Sequence, residues 1–257
     1  GPVLEIPVTD LFAAAIIPGI MLASLYAGYT TLRCYLNPKL GPVLPVSERP
    51  KNMGKVWYEF FMGLVPPAAL VFFALGSILF GLATPTEGAG MGAFGSILLA
   101  VAYKRFTYKG FKEAMIKTLE ITALIMFLVA ASNFFGAVFS KLGTPSLLTD
   151  YLLGLEINKY WILAIMMAVI FLLGWPLEWV PIVLIVLPIL LPLVQELGFN
   201  LTWFAILVAV NLQTAWLSPP VALSAYFLKG VVPQWDLKDI YLGMMQFMVI
   251  QVLGLIL

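Results

Sequence analysis

Residues 211–223, NLQTAWLSPPVAL, place oxygen-bearing side chains around two consecutive prolines within a long apolar run. Because proline has no backbone N–H and clashes with the preceding helical turn, Pro219 and Pro220 predict an interrupted helix. The interruption is expected to free backbone carbonyls from about Thr214 to Ser218, and free carbonyls at the end of a helix attract cations. Such carbonyls, with the amide and hydroxyl oxygens of the same stretch, suit a hard cation such as Na⁺. The alternative is a proline kink that serves packing only.

Glu178 is a second candidate, because it is an acid placed between Trp175 and Trp179 in an apolar run. A charge at bilayer depth costs at least about 2.5–3.5 kcal/mol, so an acid there usually has a partner or a task. No Lys or Arg lies within the same apolar segment. The predicted partner is therefore a bound cation or a proton. The alternative is an acid that snorkels to a nearby interface.

A third group of small and polar residues, SNFFG, runs from Ser132 to Gly136 in the stretch 120–156. The apolar part before it, through Ala131, rises only about 20 Å at roughly 1.5 Å per residue. We therefore expect a re-entrant helical hairpin with its tip near Ser132 to Gly136, buried in protein or reached by water. The alternative is one complete span that ends near Lys141.

The composition excludes other chemistries. The chain has no histidine and one cysteine, Cys34, which excludes disulfide frameworks, His-based metal sites and His-dependent catalysis. A net charge of +1 offers no basic surface for nucleic acid. An intramembrane hydrolase would use Ser or paired acids, and no second acid lies near Glu178. We therefore predict neither enzyme activity nor a nucleic-acid partner.

The elements that position these residues are predicted to be membrane-spanning helices. Of the 257 residues, 62% are hydrophobic and 11% are charged, which is not a soluble composition. A bilayer core of about 30 Å is crossed by roughly 20 apolar residues in a helix, so the fold class is an all-α polytopic membrane protein. Apolar segments are expected at 9–32, 56–82, 88–103, 118–139, 160–196, 202–230 and 237–257.

Two of these segments are too long for one straight span, and each contains a helix breaker. GWPLEW (174–179) interrupts the segment 160–196, and LSPP (217–220) interrupts the segment 202–230. Each is therefore predicted to form two half-helices around a discontinuity.

The loop LATPTEGAG (82–90) is expected to be structural instead. Thr84 or Thr86 can cap the following helix, and Glu87 suits its first turn.

Residues 107–119 alternate basic positions with Phe111, Met115 and Leu119 at helical spacing. This pattern is typical of an amphipathic helix that lies on the membrane surface. An ordinary solvated loop is the alternative.

A faint internal repeat relates residues 8–26 to residues 237–255, each with an acid followed by an apolar-aromatic pair and a span. If 118–156 is a hairpin and each broken segment crosses once, the first and last spans run antiparallel. An inverted repeat requires that arrangement.

Four motifs in this order resemble the large membrane subunit of tripartite ATP-independent periplasmic (TRAP) transporters. The resemblance covers nearly the whole chain but only the second half of that subunit. The TPTE loop and the proline pair after an Asn-containing helix are fairly specific together. The motifs are GLATPTEGAGMGAF, the sequence from the surface helix through ASNFFG, LGWPLEWVPIVLIVLPILLPLVQELGF, and NLQTAWLSPPVALSAYFLKGVVP.

The resemblance implies a multi-pass protein of the bacterial inner membrane that imports organic acids by Na⁺-coupled symport. Its fold would be one half of an inverted-repeat, elevator-type transporter. A periplasmic substrate-binding protein would deliver the carboxylate, possible substrates being small monocarboxylates or 2-oxo acids. A small four-helix membrane subunit would brace the scaffold, and the first half of the large subunit would complete the site. Alternatives are a divalent anion/Na⁺ symporter that needs no binding protein, and a structural membrane subunit that transports nothing.

Site residues are carried over from the family motifs one by one. The resemblance assigns substrate binding to Ser132, Asn133, Asn211 and Thr214. It assigns Na⁺ binding to Gly136, Gly174, Glu178, Thr214, Ser218, Pro219 and Pro220. Many members have Asp where this chain has Glu178, and Gly where it has Ala222, so the ion geometry differs here.

The expected regions follow the same resemblance. Residues 1–33 form a transmembrane helix that closes the first repeat, and 34–117 form scaffold helices with the surface helix. Residues 118–236 form half of the transport domain, and 237–257 form the C-terminal transmembrane helix.

The orientation of the loops is left with two alternatives. Ten of the fourteen Lys and Arg residues lie in 33–55 and 104–117, which by charge places both stretches in the cytoplasm. The family pattern instead places 104–117 on the outer face.

Overall fold

The chain folds into helices throughout the part described by the computed structural model, which comprises residues 2–42, 45, 49–50, 52–177, 179–219 and 222–257. Eleven α-helices are present there: α1 (Val8–Leu36), α2 (Met53–Leu79), α3 (Pro85–Ala102), α4 (Tyr108–Lys141), α5 (Thr144–Leu153), α6 (Lys159–Leu173), α7 (Trp179–Pro181), α8 (Leu187–Glu196), α9 (Leu201–Leu212), α10 (Leu223–Val231) and α11 (Leu237–Ile256). A π-helical stretch, Ile182–Val186, joins α7 to α8, and a 3₁₀ turn, Gln213–Trp216, follows α9.

Within those described ranges, five helical stretches are long and apolar enough to cross a membrane. They are Val8–Leu36, Met53–Leu79, Tyr108–Lys141, Trp179–Glu196 and Leu237–Ile256. The predicted fold class, an all-α polytopic membrane protein, is confirmed.

One compact unit comprises Gly1–Tyr29 and Thr122–Leu257. Its core is built where α6 packs on α9 and α5 packs on α8. Ile170, Leu193 and Phe204 are completely buried there. The helices α6 and α9 are shorter than a full span, so this buried packing, and not lipid contact along their whole length, holds them in place.

The other compact unit comprises Thr30–Ile121 and contains the antiparallel pair α2 and α3. Glycines allow these two helices to approach closely: a Cβ at Gly88 would lie 2.7 Å from Ile78 Cδ1 and 3.1 Å from the Ala74 carbonyl oxygen. Small residues at such contacts are the usual way in which transmembrane helices pack.

The turn before α3 is a capping box, as the sequence predicted for a structural loop. The Glu87 N–H donates to Thr84 Oγ1 at 3.3 Å, and the Thr84 N–H donates to Glu87 Oε2 at 2.8 Å. Of the two threonines considered, Thr84 is the N-cap.

Both predicted helix interruptions are confirmed. The helix α6 ends at Leu173, and helix resumes only at Trp179. The helix α9 tightens into the 3₁₀ turn, and α10 begins at Leu223. Proline contributes at both places, since Pro176 follows the end of α6 and Pro219 follows the 3₁₀ turn, and neither can donate a backbone N–H.

The predicted hairpin tip near Ser132 to Gly136 is wrong. The helix α4 continues without interruption to Lys141, where the alternative of one complete span was expected to end, and it is long and apolar enough to cross a membrane. A single glycine inside a helix costs only about 1 kcal/mol relative to alanine, and this is too little to break a long apolar helix. The chain turns instead at Gly143, whose φ of 71° suits glycine, and Pro145 lies in the first turn of α5.

The predicted surface helix at residues 107–119 is also not a separate element. The segment is helical from Tyr108, but it forms the beginning of α4. No glycine or proline follows it before Gly136, so nothing ends the helix at Leu119.

The helices α1 and α11 run antiparallel, the arrangement that the sequence predicted on the condition that 118–156 forms a hairpin. Tyr29 on α1 donates to Gln246 on α11 at 2.9 Å, and Tyr26 donates to Gln251. Further along, a Cβ at Gly254 would lie 2.6 Å from Leu22 Cδ2. Contacts thus move towards the start of α1 as they advance along α11.

Candidate functional site

The end of α9 carries three polar side chains that are almost completely buried. Asn211, Thr214 and Ser218 are each 1% exposed. The Asn211 amide donates to the Met167 carbonyl oxygen at 2.7 Å, which ties α9 to α6. The Thr214 hydroxyl donates to the Asn211 carbonyl oxygen at 2.6 Å. These bonds fix two of the three side chains beside the discontinuity.

Two buried oxygens at this site, Asn211 Oδ1 and Ser218 Oγ, have no hydrogen-bond partner among the residues that the structure describes. Leaving a buried polar atom unpaired costs about 1–3 kcal/mol. Native proteins contain few such atoms, and each calls for an explanation such as a bound ion or water. The unpaired oxygens therefore mark the α9 end as a candidate ligand site.

The backbone at the break is more fully hydrogen-bonded than the sequence predicted. The Thr214 carbonyl accepts from the N–H groups of Leu217 and Ser218, both at 3.0 Å, and the Ser218 carbonyl accepts from Ala222 at 2.9 Å. The prediction of freed carbonyls is therefore wrong at both ends of that stretch, because the chain tightens into short-range turns. Between those ends, Pro219 and Pro220 offer no N–H to the carbonyls four residues earlier.

The two interruptions meet in the structure. A Cβ at Gly174, the residue that follows α6, would lie 3.3 Å from Ala215 Cβ in the 3₁₀ turn. A larger residue at position 174 would therefore push against the α9 end. Trp175 and Trp179 are each about 40% exposed around this break, whereas Glu178 itself lies outside the described residues. Pro220 also lies outside them, and Pro219 is exposed.

A cavity of about 1330 Å³ opens beside α9 within the same unit. Its walls are mostly apolar, and its polar contributors include Tyr26, Asn133, Gln213, Ser224 and Gln251. Such a mixture of apolar walls and a few polar groups is typical of small-molecule sites.

The predicted substrate-binding residues divide between this cavity and the protein interior. Asn133 on α4 borders the cavity. Ser132, which is 3% exposed, and Asn211 and Thr214 are buried and do not line it. Gly136 also lies on α4, three residues after Asn133. It is far along the chain from the buried residues at the end of α9.

One buried polar residue was missed by the sequence analysis. Gln251 on α11 is completely buried and donates to the Val210 carbonyl oxygen at 3.0 Å and to Gln213 Oε1 at 2.8 Å. Its own carbonyl oxygen accepts from the Tyr26 hydroxyl. A signal was available, since amides are uncommon within a transmembrane segment and tend to face other helices there.

Over residues 2–257 the sequence matches the family of the tripartite ATP-independent periplasmic transporter, DctM component. The chain belongs to this family.

Relatives of this DctM-family chain are large permeases from several bacteria. It is 27% identical to the C4-dicarboxylate TRAP transporter large permease protein DctM of Rhodobacter capsulatus, over 90% of this chain and 51% of that protein. It is also 27% identical to the 2,3-diketo-L-gulonate TRAP transporter large permease protein YiaN of Escherichia coli (strain K12), over 87% and 51%. The sialic acid TRAP transporter large permease protein SiaM of Vibrio cholerae shows 27% identity over 90% and 53%. The chain therefore spans about half the length of these relatives.

Membership in the DctM family confirms that the chain is of a transporter class and not an enzyme. With five candidate spans, this DctM-family chain is a multi-pass protein of the inner membrane. Among the described residues, no three His, Cys, Asp or Glu side chains come together.

Proposed function

We propose that this chain is part of the large membrane subunit of a Na⁺-coupled transporter that imports organic acids delivered by a substrate-binding protein. The observation that carries the proposal is the pair of unpartnered oxygens, Asn211 Oδ1 and Ser218 Oγ, buried at a helix discontinuity. A ligand that binds them would remove the cost of leaving them unpaired.

Na⁺ fits the atoms available at the α9 end. It is a hard cation that is commonly held in transporters by unwound backbone carbonyls and helix C-termini. Asn211, Thr214 and Ser218 would supply side-chain oxygens, and the carbonyls before the proline pair would supply backbone oxygens. Glu178 is proposed to add a carboxylate from the first break. When bound, Na⁺ would supply the charge that makes binding of an anionic solute favourable.

The position of Gly174 against the 3₁₀ turn supports a shared site at the two breaks. Because the breaks touch, a change in one alters the environment of the other. Gly174, Pro219 and Pro220 would thus shape the ion site through their backbones, and Gly136 remains a proposed contributor from α4.

The substrate class rests on the relatives and on the cavity. The relatives' names specify a C4-dicarboxylate, a diketogulonate and a sialic acid, all of which carry a carboxylate. Asn133 borders the cavity and offers an amide N–H group to such a carboxylate. Ser132, Asn211 and Thr214 would bind solute only if the transporting state exposes them to the cavity.

Three partners belong to the same proposal. The first half of the large subunit would close the open side of the cavity. A small four-helix membrane subunit would brace the scaffold, and a periplasmic binding protein would deliver the solute. Alternating exposure of the site by an elevator-type movement is also proposed, with the unit that contains both breaks as the moving part.

The test uses the full-length large subunit with its small subunit in liposomes, with the binding protein outside. Uptake of a labelled carboxylate is measured in a Na⁺ gradient and in a matched choline gradient. We expect uptake only with Na⁺. The double variant Thr214→Ala/Ser218→Ala should raise the Na⁺ concentration for half-maximal uptake at least tenfold, or about 1.4 kcal/mol. Glu178→Gln should have an effect in the same direction.

The alternatives predict other outcomes. Uptake that persists when the binding protein is omitted indicates a binding-protein-independent symporter. Undiminished uptake with unchanged Na⁺ dependence in the double variant removes these residues from the ion site. A subunit that only supports other membrane proteins would show no uptake under any of these conditions.

A further inference from the structure

We infer that Gln251 is a positioning residue, which holds the end of α9 in the geometry that the proposed Na⁺ site requires. The inference rests on the proposed function, because it concerns the same site. It assigns a task to a residue on α11 that carries none of the proposed ion ligands.

Gln251 makes three side-chain hydrogen bonds to protein atoms. A glutamine amide has two N–H donors and one carbonyl oxygen. The amide donates to the Val210 carbonyl oxygen and to Gln213 Oε1, and the carbonyl oxygen accepts from Tyr26. Gln251 is also completely buried. Both of its N–H donors are thus committed to residues 210 and 213, so the proposed role of Gln251 is exerted through α9 and the turn that follows it.

Gln251 donates to atoms of two residues that are sequence neighbours of the proposed ion ligands. Val210 immediately precedes Asn211, and Gln213 immediately precedes Thr214. The bond to the Val210 carbonyl holds the backbone next to Asn211 directly, and the bond to the Gln213 side chain adds a second attachment next to Thr214. Displacements of about 1 Å in a supporting shell are enough to weaken a site considerably.

This part of the chain needs an external support. Regular α-helix ends at Leu212, and the 3₁₀ turn that follows has poorer hydrogen-bond geometry than an α-helix. Pro219 and Pro220 cannot supply the N–H groups that would extend the helix. An amide from another helix therefore replaces part of the support that a continuous helix would provide.

Packing alone does not account for an amide at this position. An apolar side chain of similar volume would fill the same space between α9 and α11 without burying a polar group. Interhelical hydrogen bonds of this kind contribute only modestly to the stability of membrane proteins. The amide is thus explained by the direction of its bonds and not by a large gain in stability.

The experiment compares Gln251→Leu with wild type in the complete transporter, with full-length subunits in liposomes and binding protein outside. The Na⁺ concentration for half-maximal uptake is expected to rise about fivefold, in line with the loss of interhelical hydrogen bonds. The maximal rate at saturating Na⁺ is expected to be retained. A variant that merely unfolds would lose maximal rate without a shift in Na⁺ dependence.

Gln246→Leu is the matched control on the same helix. Gln246 accepts from Tyr29 on α1 at 2.9 Å, as Gln251 accepts from Tyr26. We expect its Na⁺ dependence to remain that of wild type. An unshifted Gln251→Leu, or an equal shift in Gln246→Leu, overturns the inference.

Two further readings separate the remaining outcomes. If Gln251→Leu changes the half-saturation for solute at saturating Na⁺ and leaves that for Na⁺ unchanged, Gln251 is a solute ligand and the inference is overturned. If Gln251→Leu is not recovered folded, Tyr26→Phe decides. Loss of the hydroxyl that orients the Gln251 carbonyl should raise the Na⁺ half-saturation about twofold, and no rise overturns the inference.

Failure of the proposed function has a different signature. Wild-type uptake that is independent of Na⁺ overturns that proposal and this inference together. Na⁺-dependent wild-type uptake with an unshifted Gln251→Leu overturns only the inference.

Discussion

The turn between α2 and α3 and the break between α9 and α10 both combine proline with hydroxyl side chains, but they treat the hydroxyls in opposite ways. At the first, the Thr84 hydroxyl donates to Glu87 Oε2 at 2.8 Å and accepts from the Glu87 N–H. At the second, Ser218 Oγ is buried without a partner. A hydroxyl thus completes a helix cap at the α2–α3 turn, whereas the hydroxyl at the α9–α10 break makes no hydrogen bond to the described residues.

The difference teaches where a functional claim can rest. Proline beside Ser or Thr is by itself only a mark of a helix boundary. What distinguishes the α9–α10 break is burial of an oxygen that the fold does not satisfy, and the surrounding chain must offset that cost. Stability should therefore depend on the polar atoms at the α2–α3 turn, and ion affinity on those at the α9–α10 break.

The largest expected effect is a loss of stability when the packing of α2 against α3 is disturbed. Gly88→Val should lower the free energy of unfolding by about 1–3 kcal/mol, because its side chain would overlap Ile78 and the Ala74 carbonyl. Thermal unfolding of the purified full-length subunit in detergent measures this. The control is Gly92→Ala, whose Cβ would lie 3.6 Å from Ala74 Cβ, an ordinary contact. Equal stability of both variants contradicts the close packing.

Ser218→Ala tests the break between α9 and α10. Loss of the unpartnered hydroxyl should raise the free energy of unfolding without Na⁺ by about 1 kcal/mol. The same change should raise the Na⁺ concentration for half-maximal stabilisation about tenfold, or about 1.4 kcal/mol. Thermal unfolding over a Na⁺ titration measures both quantities, since a ligand of the folded state stabilises it by mass action. A loss of stability with unchanged Na⁺ response would make Ser218 a structural residue.

Thr84→Ala should show the reverse pattern. Loss of the N-cap is expected to cost about 1 kcal/mol of stability and to leave the Na⁺ response unchanged. The same titration checks this, and Thr86→Ala is the control because Thr86 is not the cap. A Na⁺ response altered by Thr84→Ala would break the division between the two regions.

The smallest effect is a pH dependence at the α2–α3 turn. The Thr84 backbone N–H, and then its hydroxyl, hold the pKa of the Glu87 carboxyl below its usual value of 4.5. The contribution of Glu87 is therefore complete above the pKa of the unfolded chain and is lost as the pH falls through the lower folded-state pKa. Unfolding midpoints between neutral and acidic pH should fall less steeply for Glu87→Gln than for wild type. Identical slopes contradict this.

The sequence predicted the breaks well and α4 poorly, for a physical reason. Proline removes a backbone donor at both breaks. It does not decide a break by itself, because Pro66 and Pro67 lie inside the uninterrupted helix α2. Ser132 and Gly136 only weaken a helix, and the long apolar helix around them outweighs that weakness. The helix α4 ends instead just before Gly143, and Pro145 lies in the first turn of α5. Glycine after a helix and proline at the start of the next are the usual signals of a helix boundary, and both were visible in the sequence.

The sequence places Asn211, Thr214 and Ser218 beside the proline pair, and their roles as ligands stay predictions. Their contacts with other helices could not be predicted. Asn211, Thr214 and Ser218, which belong to the stretch NLQTAWLSPP, are buried. The contact of Gln251 with α9 joins residues about forty positions apart, and no local pattern encodes a pairing of that range. The same limit applies to Gly174 and Ala215, whose contact depends on how α6 and α9 pack.

The hydrogen bonds from Gln251 on α11 to residues 210 and 213 also imply an order in which this part of the protein is completed. Gln251 follows the α9–α10 break along the chain, so it is synthesised after every residue that it holds. While the ribosome is still making α11, the Val210 carbonyl and the Gln213 amide have no Gln251 to bond. The proposed cation site is therefore completed only after α11 has been synthesised, later than the residues of α9 that would hold the ion.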